Sequence, residues 1–304
     1  MTLSISETPD IAIAVHDDDI ELFRYTYAPD TVQLESPKPY LHPIRTRSGH
    51  LMTLFRPHDH VWHKGIAWSL PVVGDENFWG GPTYVRDRGY VQLPNDGAQA
   101  HLRTETAGVD ADGTARFVHD LEWITEAGER LFTERRALAA RLLDDDAWVL
   151  TVETAMTNVS ASDIAIGSPT TKGRDNAGYG GLFWRGPRSF TGGTLVTAEG
   201  TGAGSDVRGQ RHEWMGFAGQ HDGVDAASLL VMVDDARNPH HPPQWFARSE
   251  EFAGLNPAPF FSEELVVPEG ETVLFRYGVG IADADSDDAA ELADAVRDVL
   301  RGRS

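Results

Sequence analysis

The sequence predicts an all-β fold, a large antiparallel sandwich ending in a C-terminal helix. Three observations carry this: strict alternation over 147–160, many short β-rich runs punctuated by Gly, Pro, Asn and Asp, and one amphipathic stripe near the C-terminus. In AWVLTVETAMTNVS (147–160), Trp148, Leu150, Val152, Thr154 and Met156 fall on one side and Val149, Thr151, Glu153, Ala155 and Thr157 on the other. A period of two over this length is a strand.

The runs IAIAV (11–15), ELFRYTY (21–27), TVQLE (31–35), GHLMTLF (49–55) and KGIAWSL (64–70) read as further strands, followed by TARFVHDLEWIT (114–125). ERLFTERRALAARLL (129–143) is rich in helix formers, but EAGE (126–129) and LDDDA (143–147) are turn-like, so it is expected as one arm of a long hairpin, with a helix as the alternative. SLLVMVD (228–234) and ETVLFRYGVGIA (271–282) complete the strand set. PNDG (94–97) and DADG (110–113) supply turns. Residues 169–209, holding TTKGRDNAGYGGLFWRGP, are expected as a large loop zone. In SDDAAELADAVRDVL (286–300), Ala289, Leu292, Ala293, Val296, Val299 and Leu300 form one apolar stripe, with Ser286 expected as the cap. With no repeat or linker in sight, residues 1–304 are expected to form one domain.

The 304 residues carry a net charge of -21. Such a field repels phosphate backbones and anionic membrane surfaces, so neither nucleic acid nor a membrane is an expected partner. Cysteine is absent, which removes disulfides, thiolate nucleophiles and thiolate metal ligands. The N-terminal residues lack the pattern of a secretory signal and no run is long and apolar enough for a membrane helix, so a cytoplasmic location is expected. GXSXG, GXGXXG and GXXXXGK[ST] patterns are missing.

The densest chemistry is HDHVWHKG (58–65). His60 and His63, three apart, share a face in a turn or helix; His58 and His60 share one in a strand. Imidazoles transfer protons near neutrality, which makes His60 and His63 the candidate acid/base pair. Lys64 could hold an oxyanion, and the flat faces of Trp62 and Trp68 suit the C–H face of a sugar ring. The same histidines could bind a divalent metal with a third ligand from Asp59, His42, His240 or Glu263, although no diagnostic metal spacing is present. They could also serve only to satisfy backbone groups at a strand entry. NPHHPPQWFAR (238–248) presents Asn238, His240, His241, Trp245 and Arg248 from a proline-stiffened path. Lys172, Arg174, Asp175 and Tyr179 sit among glycines in the loop zone, and Glu263 and Glu264 precede the turn at PEGE.

The block 39–81 (PYLHPIRTRSGHLMTLFRPHDHVWHKGIAWSLPVVGDENFWGG), with KGRDNAGYGGLFWRGPRSF (172–190) and NPHHPPQWFAR, resembles the signatures of a bacterial family of unknown function often labelled "methane oxygenase PmoA". A subunit of the particulate methane enzyme lies in a membrane, so that activity is not expected here. Proteins of the resembled family are often linked to sugar catabolism and sugar-oxidising dehydrogenases. FFSEELVVPEGETVLFRYGVG (260–280) is similar in layout to the end of aldose-epimerase, galactose mutarotase-like proteins. That likeness implies a β-supersandwich with a histidine acid, matched in residue type by His60 or His63, and a late glutamate base, matched by Glu263 or Glu264.

The expectation is therefore a cytosolic enzyme acting on a sugar or keto-sugar by proton transfer, of epimerase, lyase or hydratase type. His60, His63 and Glu263 would be catalytic. His42, Asp59, Trp62, Lys64, Lys172, Arg174, Tyr179, Asn238, His240, Trp245 and Arg248 would bind substrate. No cofactor is required by the pattern; a divalent metal and a homo-oligomer stay open. The alternatives are a metal-dependent hydrolase or oxygenase built on the histidines, and a non-catalytic carbohydrate-binding or regulatory module.

Overall fold

A computed structural model describes residues 3–302. Two large antiparallel sheets face each other. The eight-stranded sheet runs Leu3–Thr8, Ala12–Asp17, Ile20–Thr26, Tyr40–Ile44, Ile66–Ser69, Gly181–Arg185, Gly254–Ala258, Gln244–Arg248. The nine-stranded sheet runs Gly200–Gly202, Thr194–Thr197, Trp214–Gln220, Ala227–Asp234, Thr272–Ala282, Ala147–Asn158, Arg130–Leu142, Ala115–Ile124, Ala98–Val109. A three-stranded and a two-stranded sheet accompany them.

One apolar core fills the space between the two large sheets. Phe23 of one stacks on Trp148 of the other at 5.7 Å, and Trp68 meets Phe275 at 5.1 Å. The alternation read from 147–160 holds: Trp148, Leu150, Val152 and Met156 enter this core, while Val149 points to the opposite face. There Ala289–Leu300 lays Leu292, Val296 and Leu300 against Val149, Val231 and Val233. Residues 129–143 are the expected hairpin arm, paired on both sides as Arg130–Leu142. The C-terminal helix is entered through a 3-10 turn, Ser286–Asp288, and that turn is capped by Asp285 rather than Ser286: the Asp285 carboxylate accepts from Asp287 N–H at 2.8 Å.

Two expected strands are something else. TVQLE becomes a 3-10 turn, Gln33–Glu35, because the Glu35 side chain turns inward to two cations instead of lying on a pleated face. GHLMTLF crosses between strands: Met52 N–H donates to Ile44 C=O and Leu54 N–H to Arg185 C=O, so no continuous ladder forms. The loop zone 169–209 contains two core-lining strands, Gly181–Arg185 and Thr194–Thr197, one in each large sheet. Ala98–Val109, largely polar and exposed, is an edge strand outside the expected set. No helix among the described residues is long and apolar enough to cross a membrane.

Candidate functional site

On the strand Gly181–Arg185, Trp184 faces the sandwich core, so Phe183 and Arg185 face the other way. On Gln244–Arg248, Trp245 and Ala247 face the core, so Phe246 and Arg248 share that outer side. Over this outer face lies a cavity of about 470 Å³. Its walls include His60, His63, Trp79, Phe183, Phe246 and Phe252.

The HDHVWHKG segment forms the loop that closes one side. His60 N–H donates to Pro57 C=O and His63 N–H to His60 C=O, two successive turns that put the imidazoles on one face. The rings stack with centroids 4.7 Å apart. The loop's ends are clamped together: Arg56 N–H donates to His63 C=O, and both Arg56 (2.6 Å) and Lys64 (2.9 Å) reach the buried Glu35 carboxylate. Burial opposes ionisation of Glu35, but these two cations outweigh it and hold its pKa below the usual value.

Opposite, Gly80 and Gly81 take positive φ angles of 97° and 72°. A Cβ at Gly80 would lie 2.7 Å from Glu35 C=O oxygen, and one at Gly81 would lie 2.7 Å from the Trp62 ring. Only glycine lets the backbone pass this close, and it is how Trp62 becomes part of the wall. The buried Lys38 ammonium ties this wall to the Glu35 turn through the carbonyls of Glu35, Ser36 and Trp79 at 2.8–3.0 Å.

The hydrogen bonds assign tautomers. Burial disfavours the Asp59 carboxylate, but hydrogen bonds from His60 and the backbone and the charge of Arg185 hold its pKa at about 2. Being ionised, it can only accept, so His60 Nδ1–H donates to it at 3.1 Å and Nε2 carries the lone pair. Among the described residues His60 Nε2 has no hydrogen-bond partner. For His63 the sense is reversed. Arg185 can only donate, so His63 Nδ1, 3.3 Å away, accepts and the hydrogen sits on Nε2. Burial, His60 and Arg185 push the His63 pKa well below the usual imidazole value.

Arg185 itself is 1 % exposed and lies 3.8 Å from the Phe252 ring centroid. Among the described residues its Nε and Nη2 groups have no hydrogen-bond acceptor, and Asp59 is 3.7 Å from Nη2. Burial first, with Arg188 adding repulsion, lowers its pKa to about 10. On the far wall the hydroxyls of Tyr90 and Tyr179 meet at 2.8 Å, Arg174 donates to Tyr90, and Arg248 pairs with Glu251 at 2.9 Å.

Of the residues singled out from sequence, Asp59, His60, Trp62, His63, Arg174, Tyr179 and Arg248 line this cavity. The others do not. Lys64, expected on an oxyanion, is buried against Glu35. Trp245, expected to stack on a ligand, is 0 % exposed with its Nε1–H given to His212 C=O, because the strand's alternation turns Phe246 outward in its place. His42 stacks on Phe55 and bonds Thr53, and His240 bonds Pro259 C=O. Asn238 holds Asp234, and Lys172 pairs with Glu264 at 2.8 Å. Glu263, expected as a base, is exposed and does not line the cavity. Trp79, Tyr90, Arg185, Phe246 and Phe252 were not anticipated; FWGG (78–81) and the arginine of LFWRGP were the available signals. Among the described residues no three His, Asp or Glu side chains converge as a metal-binding group.

The profile described as "Family of unknown function (DUF6807)" matches residues 12–297. No curated protein matches the sequence. Among solved structures, the chain is similar to an alpha-galactosidase from Lactobacillus brevis (9 % identity, TM-score 0.40, covering 93 % of this chain and 39 % of that one). It is also similar to a heparinase III gene product (9 %, 0.36, 94 % and 35 %) and to a polysaccharide lyase (10 %, 0.35, 97 % and 34 %). The chain thus spans well under half the length of each of these proteins.

Proposed function

The chain belongs to the family of unknown function DUF6807, and from the cavity it carries we propose that it is an enzyme moving a proton at, or next to, a carbonyl or hemiacetal carbon of a sugar. The observation that carries this reading is the pair of stacked imidazoles with opposite tautomers in an aromatic-walled cavity. A lone pair on His60 Nε2, backed by Asp59 on the other ring nitrogen, is a base; a neutral imidazole N–H on His63 Nε2 is a hydrogen-bond donor to an oxygen gaining charge. In the keto-sugar case, His60 Nε2 takes the proton from the carbon beside the carbonyl. The C–H electron pair becomes the enolate C=C bond, and the carbonyl oxygen takes the negative charge under the His63 N–H. Protonation of the opposite face by water, with the His60 proton passing to solvent, gives an epimer; departure of a β-substituent with its bonding electrons, taking up the proton from His60, gives an unsaturated product. Trp62 and Trp79 supply flat faces for ring C–H groups, and the Tyr90–Tyr179 pair supplies hydroxyl partners.

The test is a proton-NMR time course in heavy water with aldoses and keto-glycosides. Wild type is expected to wash out one ring proton or to exchange anomers above the blank rate, and His60→Gln to lower that rate by at least 100-fold. Full activity in both His60→Gln and His63→Gln rules out the assignment.

A further inference from the structure

The cavity concentrates positive charge in a chain whose net charge is -21. Arg174 and Arg248 line it with the carboxylates of Asp59 and Glu251, and Arg185 and Arg188 stand behind Asp59. Asp59 is divided between Arg185, Arg188 and His60. Glu251 is 60 % exposed on its side chain, so its pairing with Arg248 competes with water and holds that guanidinium only weakly. Among the described residues the Arg174 guanidinium has only the Tyr90 hydroxyl and ring as partners. Arg185 is the most telling. At 1 % exposure, two of its N–H-bearing nitrogens have no acceptor among the described residues, where buried donors are ordinarily satisfied. Guanidiniums present paired N–H groups matched to a carboxylate, and in a cavity shielded from water such pairing is stronger than at a surface.

We propose that the ligand of this cavity is a sugar acid, its carboxylate held on the side of Arg174 and Arg248 and its ring between the aromatic walls. This rests on the sugar reading above and adds to it the charge of the substrate. Arg174 lies over the Tyr90 ring and Arg248 over the Phe246 ring, at 4.7 and 5.5 Å, and Tyr90 and Phe246 both meet Tyr179, so the two guanidiniums stand at one end of the cavity. His60 and His63 occupy the other side, next to Arg185. Arg185 supplies a fixed positive potential behind the imidazoles, which favours an anionic ligand and any negative charge formed on it.

The experiment is calorimetric titration of the full chain, at low and at physiological salt, with matched probes differing only at C6: glucose against glucuronate, and galactose against galacturonate. Methyl glucuronoside, acetate and inorganic phosphate are titrated alongside. The expected result is binding of at least one uronate ten-fold or more tighter than its neutral partner, weakening as salt rises. Glucuronate alone points to a free sugar acid, and the methyl glycoside to the end unit of a chain; either supports the proposal. Arg174→Gln and Arg248→Gln should each shrink the acid-to-neutral ratio at least five-fold with an unchanged thermal midpoint. Equal binding of neutral and acidic sugars overturns the sugar acid and leaves the sugar reading standing. Binding of acetate or phosphate as tight as that of uronates overturns the sugar reading and leaves an anion site. Silence from every probe overturns both.

Discussion

His60 and His63 lie ring on ring, 4.7 Å between centroids and 17° from parallel, yet their hydrogen bonds demand opposite tautomers. Asp59 takes the hydrogen of His60 Nδ1, and Arg185 gives one to His63 Nδ1. Long-range proton–nitrogen NMR correlations at neutral pH should therefore show one Nδ1–H and one Nε2–H imidazole at these positions. Because burial, His60 and Arg185 depress the His63 pKa, that ring should stay neutral to a lower pH than an ordinary imidazole. Matching tautomers, or a charged His63 at pH 6, would overturn the assignment.

Glu35 ties the two ends of the site loop. Replacing it with Leu leaves the Lys64 ammonium, 0 % exposed on its side chain, without its counter-charge. Removing one member of a buried pair costs about 3–5 kcal/mol, whereas replacing both with apolar groups is often tolerated. Urea unfolding of Glu35→Leu should show a loss of that order, and Glu35→Leu with Lys64→Met should recover most of it. Arg56, 44 % exposed on its side chain, can turn to water in either variant. A double variant no more stable than the single one would show that Lys64 is not what Glu35 neutralises.

What the sequence made legible follows from what is local. The strand at 147–158, the hairpin arm before it and the C-terminal stripe depend on periodicity within one segment, and all three stand. The relation of His60 to His63 was legible because a spacing of three in a turn is also local. Glu35 was not legible: inside TVQLE it looks like any strand-edge charge, and its role exists only because Arg56 and Lys64 arrive from 21 and 29 positions further on. Trp245 and Phe246 are adjacent aromatics, so residue type cannot say which faces the core; the pairing partner His212 decides. Arg185 follows Trp184 in the same way, one facing each side of its sheet.

That difference of face separates two tryptophans the sequence treats alike. Trp62 is half-buried on Gly81, whereas Trp245 is fully enclosed. Trp245→Ala should destabilise by about 3–5 kcal/mol in denaturant unfolding, the usual cost of emptying an aromatic core position. Trp62→Ala should cost about 1 kcal/mol or less, as its ring is only half-buried, while weakening the proposed sugar binding up to roughly ten-fold through the lost stacking face. Equal stability losses in the two variants would contradict their assignment to different faces.

Between the sheets a second, buried polar chain sets a pH limit on the fold. Arg136, locked to Glu134 at 2.7 Å, donates to the Tyr25 hydroxyl. Tyr25 passes its hydrogen to His119 Nε2 at 3.0 Å, and His119 Nδ1–H meets His101 Nδ1 at 3.0 Å. Burial, aided by the Arg136 charge, drops the His119 pKa to about 2. An unfolded chain binds this proton near pH 6.5, and the folded one does not. The folded state thus holds fewer protons between these values, so stability is intact above pH 6.5 and declines as pH falls towards 2, at up to about 1.4 kcal/mol per pH unit. Denaturant unfolding between pH 7.5 and pH 5 should therefore give a slope that is shallower in His119→Gln than in wild type, by a difference that grows towards about one proton at the acid end, even though the variant is less stable at neutral pH. Identical slopes would mean that His119 titrates in the folded protein as it does in the unfolded chain, and the directional hydrogen-bond chain from Arg136 to His101 would have to be abandoned.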